Sequence, residues 1–307
     1  VPEARAALRK GGDELMAGDL RVRLGVAVFG IPAGLVLIYL GGWPLGVVLA
    51  VIAWLGTGEY YALAAQSGAR PFRFAGMALA AAIVLLATWR PHIHDLALMG
   101  WSLTLVLALG SMAASVFRRG TDGIPLGSVS ATVTGFLYSG ATLAFIPLLA
   151  ALPDHAAGPG PMGRFAAPAL ILFPLAVTWM GDSGAYFTGG AVGGPKLIPS
   201  VSPKKTVSGS IGGLVVSALA GAILAQLTLS EIPVWGLSWW QGALAGIVLG
   251  GIAQVADLAE SVIKREAGVK DSGNLLPGHG GVLDRFDAIL FTVPVTFVLL
   301  LLKAWVT

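Results

Sequence analysis

The feature that most constrains this chain is a series of long stretches with no charge and no polar alternation, such as Met77 to Ala87, which reads MALAAAIVLLA. Strands of a membrane barrel would alternate apolar and polar residues over about ten positions. A water-soluble surface is equally excluded, because 56% of the residues are hydrophobic and only 11% charged, against roughly a quarter charged in soluble domains. Helices surrounded by lipid remain. At about 17 to 25 apolar residues per span, nine are predicted, near residues 24–41, 43–63, 74–90, 95–116, 128–151, 165–181, 211–230, 239–256 and 287–306. The fold class is therefore all-α and polytopic. Trp43, Trp89, Trp179, Trp235, Trp239, Trp240 and Trp305 fall at span ends, where indoles anchor helices to the interface.

Basic residues give the orientation, since cytoplasmic connections retain Lys and Arg during insertion. With nine spans, alternate connections divide these residues 16 to 3, the minority being Arg90, Arg164 and Lys303. This predicts a cytoplasmic N-terminus and an external C-terminus. The first 20 residues lack the apolar core and cleavage site of a signal peptide; Val1 in place of Met points to a processed or cloned start. Residues 1–23 read as a cytoplasmic segment, either an amphipathic surface helix or a solvated tail. The net charge of +3 and pI near 9.3 follow from orientation in the bilayer, and no nucleic-acid partner is expected. The absence of Cys excludes disulfides, thiolate metal sites and a thiol nucleophile.

Charge is concentrated late in the chain. Residues 24–181, the first six spans, carry ten charged side chains, and residues 257–287 alone carry another ten. Helix connections usually need about two to eight residues, so this charged stretch calls for a function. Asp257, Glu260 or Ser261, and Lys264 are spaced to share one helix face, and Asp284 and Asp287 lie one turn apart where the last span begins. Between them runs LPGHGG, whose glycines let backbone N–H groups approach a ligand. Paired carboxylates at two helix ends form the hard oxygen set that Mg²⁺ prefers, with substrate phosphates completing its shell. Lys264, Lys270, Arg285 and His279 would face phosphoryl oxygens. The competing reading is a basic loop whose acids pair its bases.

A second polar stretch, residues 182–210, holds Lys204, Lys205, Thr206 and Ser208 before a glycine-bearing helix start, a plausible anion site though not a Walker loop. Asp182, just past an apolar span, calls for a cation partner, and Glu59 raises the same question. The C-terminal half, residues 182–307, is thus read as the catalytic part with two cytoplasmic loops, 182–210 and 257–287.

From Ser261 to Asp287 the sequence SVIKREAGVKDSGNLLPGHGGVLDRFD closely resembles the fingerprint of phosphatidate cytidylyltransferases, or CDP-diacylglycerol synthases. Ser261, Lys264, Arg265, Lys270, Asp271, His279, Gly280, Gly281, Asp284, Arg285 and Asp287 occupy its fixed positions, and the resemblance continues through DSGAYFTG, KLIPSVSPKKT and ADLAES. It departs at Val207, Ser208 and Gly209, where relatives usually read aromatic-Glu-Gly, at the glycine-rich run around Gly190 to Gly194, and at Ala256, usually Gly.

The resemblance implies transfer of the cytidylyl group of CTP to phosphatidic acid, releasing pyrophosphate. It implies metal binding by Asp257 and Asp284, with Asp287 as an additional carboxylate and Asp182 as a further candidate. The cofactor would be Mg²⁺, with a second cation, monovalent or divalent, as an open possibility. Lys264, Lys270, Asp271, His279 and Arg285 join Asp257, Asp284 and Asp287 as catalytic candidates. Ser202, Lys204, Lys205, Thr206, Ser261, Arg265, Gly280 and Gly281 are candidates for holding substrate and phosphate. The family also implies a homodimer in the bacterial inner membrane, acting on membrane lipid with its site facing the cytoplasm. Two rival readings stand beside it: another CTP-using lipid enzyme such as a polyprenol or phytol kinase, and a transporter, whose ionisable residues would sit near the midplane instead.

Overall fold

A computed structural model of the chain describes residues 28–118, 120, 122, 124–155, 160–275 and 280–306. The N-terminal segment and His279, both singled out from sequence, lie outside the described residues. Apolar helices dominate: α1 (Val28–Leu40), α2 (Gly42–Gln66), α3 (Arg73–Trp89), α4 (Ile93–Arg118), α5 (Pro125–Gly135), α6 (Phe145–Ala151), α7 (Ala166–Val192), α8 (Val207–Leu224), α9 (Trp239–Glu266) and α10 (Leu283–Val306). Seven helical stretches are long and apolar enough to cross a membrane; α1 and α3 are apolar but shorter. Within the described residues, each of the nine expected segments overlaps one of these apolar stretches. The span expected at 128–151 is not one regular helix, because a wide π turn over Phe136–Ala141 separates α5 from α6.

The stretch after Asp182 is more helical than expected, while the helix anticipated through Asp257 and Lys264 is present. Helix α7 runs to Val192, so Asp182 lies within it, and α9 runs to Glu266, carrying Asp257, Ser261, Lys264 and Arg265. Glycine-rich composition argues for a loop at 181–192, yet packing overrides propensity there. A Cβ on Gly184 would lie 2.6 Å from the Val216 side chain, and one on Gly189 3.3 Å from the Gly209 Cα. Small residues are what allow α7 and α8 to touch. The same holds between α8 and α9, where a Cβ on Gly221 would sit 2.2 Å from the Gly242 carbonyl oxygen and one on Gly246 2.2 Å from that of Ser217. Helix α8 is thus clasped between α7 and α9, and α10 packs on α9 with further contacts to α7 and α2.

One feature departs from an all-helical chain. Between α7 and α8, β1 (Lys196–Ile198) and β2 (Ser202–Thr206) form an antiparallel hairpin, with Lys196 opposite Thr206 and Ile198 opposite Ser202. Thr206 ends the hairpin and caps α8, its Oγ1 accepting from the Gly209 N–H at 3.1 Å. Within the apolar helices, hydroxyls bond back to the preceding turn, as Thr178 does to the Pro174 carbonyl at 2.8 Å and Thr296 to that of Thr292 at 2.8 Å, so that they need no water.

Candidate active site

At one end of the bundle α7, the hairpin, α8 and α9 enclose a cavity of about 630 Å³. From α7 come Asp182, Ala185, Tyr186, Gly189 and Gly190, spaced as one helix face. The hairpin contributes Lys196, Lys204, Lys205 and Thr206; α8 contributes Gly209 and Ser210; α9 contributes Gln254 and Asp257. Of the residues selected from sequence, the cavity gathers Asp182, Lys204, Lys205, Thr206 and Asp257. Lys205 Nζ stands 2.6 Å from Asp257 Oδ2, and Ser261 Oγ lies 3.5 Å from Asp257 Oδ1. Asp182, Asp257 and Asp287 are close enough for their negative charges to act on one another, with Lys205 offsetting that of Asp182.

Sequence reasoning did not select Lys196, Tyr186, Gln254 or Ser210. Gln254 had a usable signal, since it precedes Asp257 by three residues and shares its helix face. Its amide is fixed by Ser210, whose hydroxyl donates to Gln254 Oε1 and whose carbonyl accepts from Nε2 at 3.0 Å. Tyr186 and the glycines were hidden because residues 182–192 read as loop. Ser208, standing where the resembling family usually has Glu, donates its hydroxyl to the Gly193 carbonyl.

Behind the cavity the fingerprint forms a second, drier cluster. Lys264 is 9% exposed and lies between two acids, with Nζ 2.8 Å from Glu260 Oε2 and 2.6 Å from Asp284 Oδ1. The other oxygen of Asp284 accepts from the Ser272 N–H at 2.8 Å, the Gly281 N–H at 2.9 Å and the Ser272 hydroxyl at 3.0 Å. Gly280 and Gly281 therefore surround a carboxylate of the chain itself. Gly280 adopts φ +82, and a Cβ there would come 2.9 Å from Asp284 Oδ2. Among the described residues, Glu260 Oε1 is buried with no hydrogen-bond partner.

The remaining candidates are more peripheral. Ser202 is half-buried on β2 away from the cavity lining; Arg265, Lys270, Asp271 and Arg285 are exposed, Arg265 donating to the Val269 carbonyl at 2.9 Å. Glu59 of α2 reaches this region too, accepting from the Val282 N–H at 2.9 Å and the Leu283 N–H at 2.8 Å.

Among the described residues no three Asp, Glu or His side chains close on one point as a complete ligand set. Mg²⁺ does not require one, because it is commonly held by one or two carboxylates, water and substrate phosphates. Mutually repelling carboxylates at the wall of a lysine-lined cavity fit such an ion. Asp257 and Asp284 each have an ammonium at 2.6 Å, so a cation bound at either would have to displace a lysine.

The model of the Cytidylyltransferase family matches residues 21–303. A phosphatidate cytidylyltransferase of Synechocystis is 33% identical over 303 residues, covering 90% of this chain and 95% of that protein. Proteins of the same name from Brucella suis and Staphylococcus saprophyticus are 48% identical over 120 residues and 44% identical over 131, covering 39% and 43% of this chain and 42% and 48% of theirs. The chain belongs to the Cytidylyltransferase family.

Proposed function

We propose that this chain is a membrane-embedded CTP:phosphatidate cytidylyltransferase, forming CDP-diacylglycerol and pyrophosphate for phospholipid synthesis. The observation that carries the reading is the cavity in which Lys196, Lys204 and Lys205 face Asp182 and Asp257 at one end of apolar helices. A lipid phosphate can reach such a site while its acyl chains stay in the bilayer. The phosphomonoester oxygen of phosphatidic acid attacks the α-phosphorus of CTP, the bond from that phosphorus to the β-bridging oxygen breaks, and pyrophosphate leaves. The phosphomonoester is already anionic, so no covalent intermediate or strong base is required.

The chain's own groups have distinct tasks in this scheme. Lys204 and Lys205 neutralise phosphates, and the positive end of the α8 dipole favours an anion beside them. Asp257, with Asp182 and Asp287 nearby and Asp284 behind, supplies carboxylate oxygens for Mg²⁺. When bound, the ion offsets charge on the departing pyrophosphate. Lys264, held between Glu260 and Asp284, keeps α9 and α10 in register.

The same reading has nine membrane crossings, with α1 and α3 as short spans, the N-terminus and the cavity on the cytoplasmic side of a bacterial inner membrane, and a homodimer as the assembly. The 16 to 3 division of Lys and Arg supports this polarity, and two sets of contacts mark the two ends. At the cavity end lie the Lys205–Asp257 and Lys264–Asp284 pairs; at the other, Lys303 Nζ donates to the Val234 carbonyl at 2.6 Å, His92 stacks on His155, and the Arg164 guanidinium lies over the Tyr39 ring. The test of function is incubation of purified protein with phosphatidic acid, CTP and Mg²⁺. CDP-diacylglycerol and pyrophosphate are expected; CDP with a newly phosphorylated lipid would make the protein a kinase, and no conversion would leave a transporter.

A further inference from the structure

Glu59 is 223 and 224 residues away in sequence from the two amides it binds at the start of α10. Its Oε2 also lies 2.9 Å from the Ser272 hydroxyl, which lies 3.0 Å from Asp284 Oδ2. One hydroxyl has one hydrogen to give, so Ser272 lies within reach of both carboxylates and donates to one of them at a time. Four backbone amides are divided between the same two acids: Ser272 and Gly281 donate to Asp284, while Val282 and Leu283 donate to Glu59. The first amides of a helix need an acceptor, and a carboxylate suits the positive end of the helix dipole. Here that acceptor comes from α2, at the far end of the sequence.

The loop is built around this side chain. A Cβ on Gly273 would fall 2.6 Å from Glu59 Oε1, and one on Gly281 2.4 Å from Glu59 Oε2. Because α10 carries Asp284 and Asp287 in its first two turns, whatever fixes its first amides also fixes those carboxylates relative to the cavity. We propose that Glu59 is a positioning residue for cytidylyl transfer: from the N-terminal half of the chain, it sets the place of Ser272, Gly273 and residues 280–287 against α9. This rests on the reaction proposed above.

The test uses the full chain in detergent with phosphatidic acid, CTP and Mg²⁺. Glu59→Gln keeps the size but turns an NH₂ group toward a backbone donor. The expected result is a fall in kcat of about tenfold or more, since small misplacements are costly in turnover, with KM for CTP changed by less than about threefold. Deuterium exchange should rise in the peptide covering 271–287 and stay unchanged over α8. Ser272→Ala should lower kcat in the same direction, and the double variant should be little worse than Glu59→Gln alone. Wild-type kcat in Glu59→Gln, or unchanged exchange over 271–287, overturns the proposal. If Glu59→Gln does not fold, wild-type kcat in Ser272→Ala overturns it instead. A wild-type chain that makes no CDP-diacylglycerol removes the reaction itself and the proposal with it, an outcome the wild-type control identifies separately.

Discussion

Lys205, near the end of a two-stranded hairpin, and Asp257, on the long helix α9, meet at 2.6 Å across the mouth of the cavity. Their side chains are 28% and 42% exposed, so water screens the pair and it adds little to stability. What it does is hold a phosphate-binding candidate and a metal-binding candidate within reach of one another. A substrate bringing both phosphate and cation can take a partner from each.

Lys205→Ala should therefore leave folding intact and reduce turnover at subsaturating CTP. Loss of a charge-assisted hydrogen bond worth about 1.5 to 3 kcal/mol corresponds to a fall of roughly 10- to 100-fold. Initial rates below KM, with a melting curve in detergent, measure both; unchanged rates would return the hairpin to the role of a basic loop.

Asp257→Asn and Asp284→Asn should each lower Mg²⁺-dependent CDP-diacylglycerol formation by about two orders of magnitude, since each removes charge that holds a hard cation. The double variant should be little worse than the worse single, because groups serving one centre are non-additive. Melting should separate them. Asp257→Asn loses an exposed pair, whereas Asp284→Asn disturbs bonds to Lys264, Ser272 and Gly281. Near-normal activity in either well-folded variant would remove that residue from metal binding.

Lys264→Met tests the drier cluster. It keeps the length of the side chain but leaves Glu260 and Asp284, whose side chains are 2% and 7% exposed, without their shared cation. Breaking a buried pair from one side costs about 3 to 5 kcal/mol, so a large drop in melting temperature is expected. A variant as stable as wild type, and impaired only in turnover, would make Lys264 a phosphate ligand instead.

The orientation is open to single-cysteine labelling, since the chain has no Cys of its own. A Cys replacing the exposed Asn274 should react only from the cytoplasmic side, and one replacing the exposed Asp154 only from outside. Intact and inverted vesicles with an impermeant maleimide distinguish the two; reversal of both would separate the cavity from cytosolic CTP.

The apolar segments were legible because each is long and carries at most two charged residues, a signal contained within one stretch of chain. The fingerprint was legible for a similar reason, as its residues lie close together in sequence. The helical course of residues 182–192 was not, since glycine lowers helix propensity and the close packing against α8, as at Val216 and Gly209, lies far away in sequence. Nor was the hairpin, whose strands are only three and five residues long and too short for alternation to stand out in sequence. The inward course of Lys264 depends on Glu260 and Asp284 converging from two helices, and that of Glu59 on amides beyond position 280, relations that spacing cannot express.

The reach of Glu59 bears on how the gene for such a protein could be divided. A fragment starting at Asp182 would encode every fixed position of the 261–287 pattern, yet the Val282 and Leu283 amides would have lost their acceptor. Such a piece would hold the full signature by sequence comparison and still lack one support of its own last helix. Co-expression with residues 1–181 would restore activity only if the two pieces found each other in the bilayer, so split-chain complementation reads out an association that no motif search could reveal.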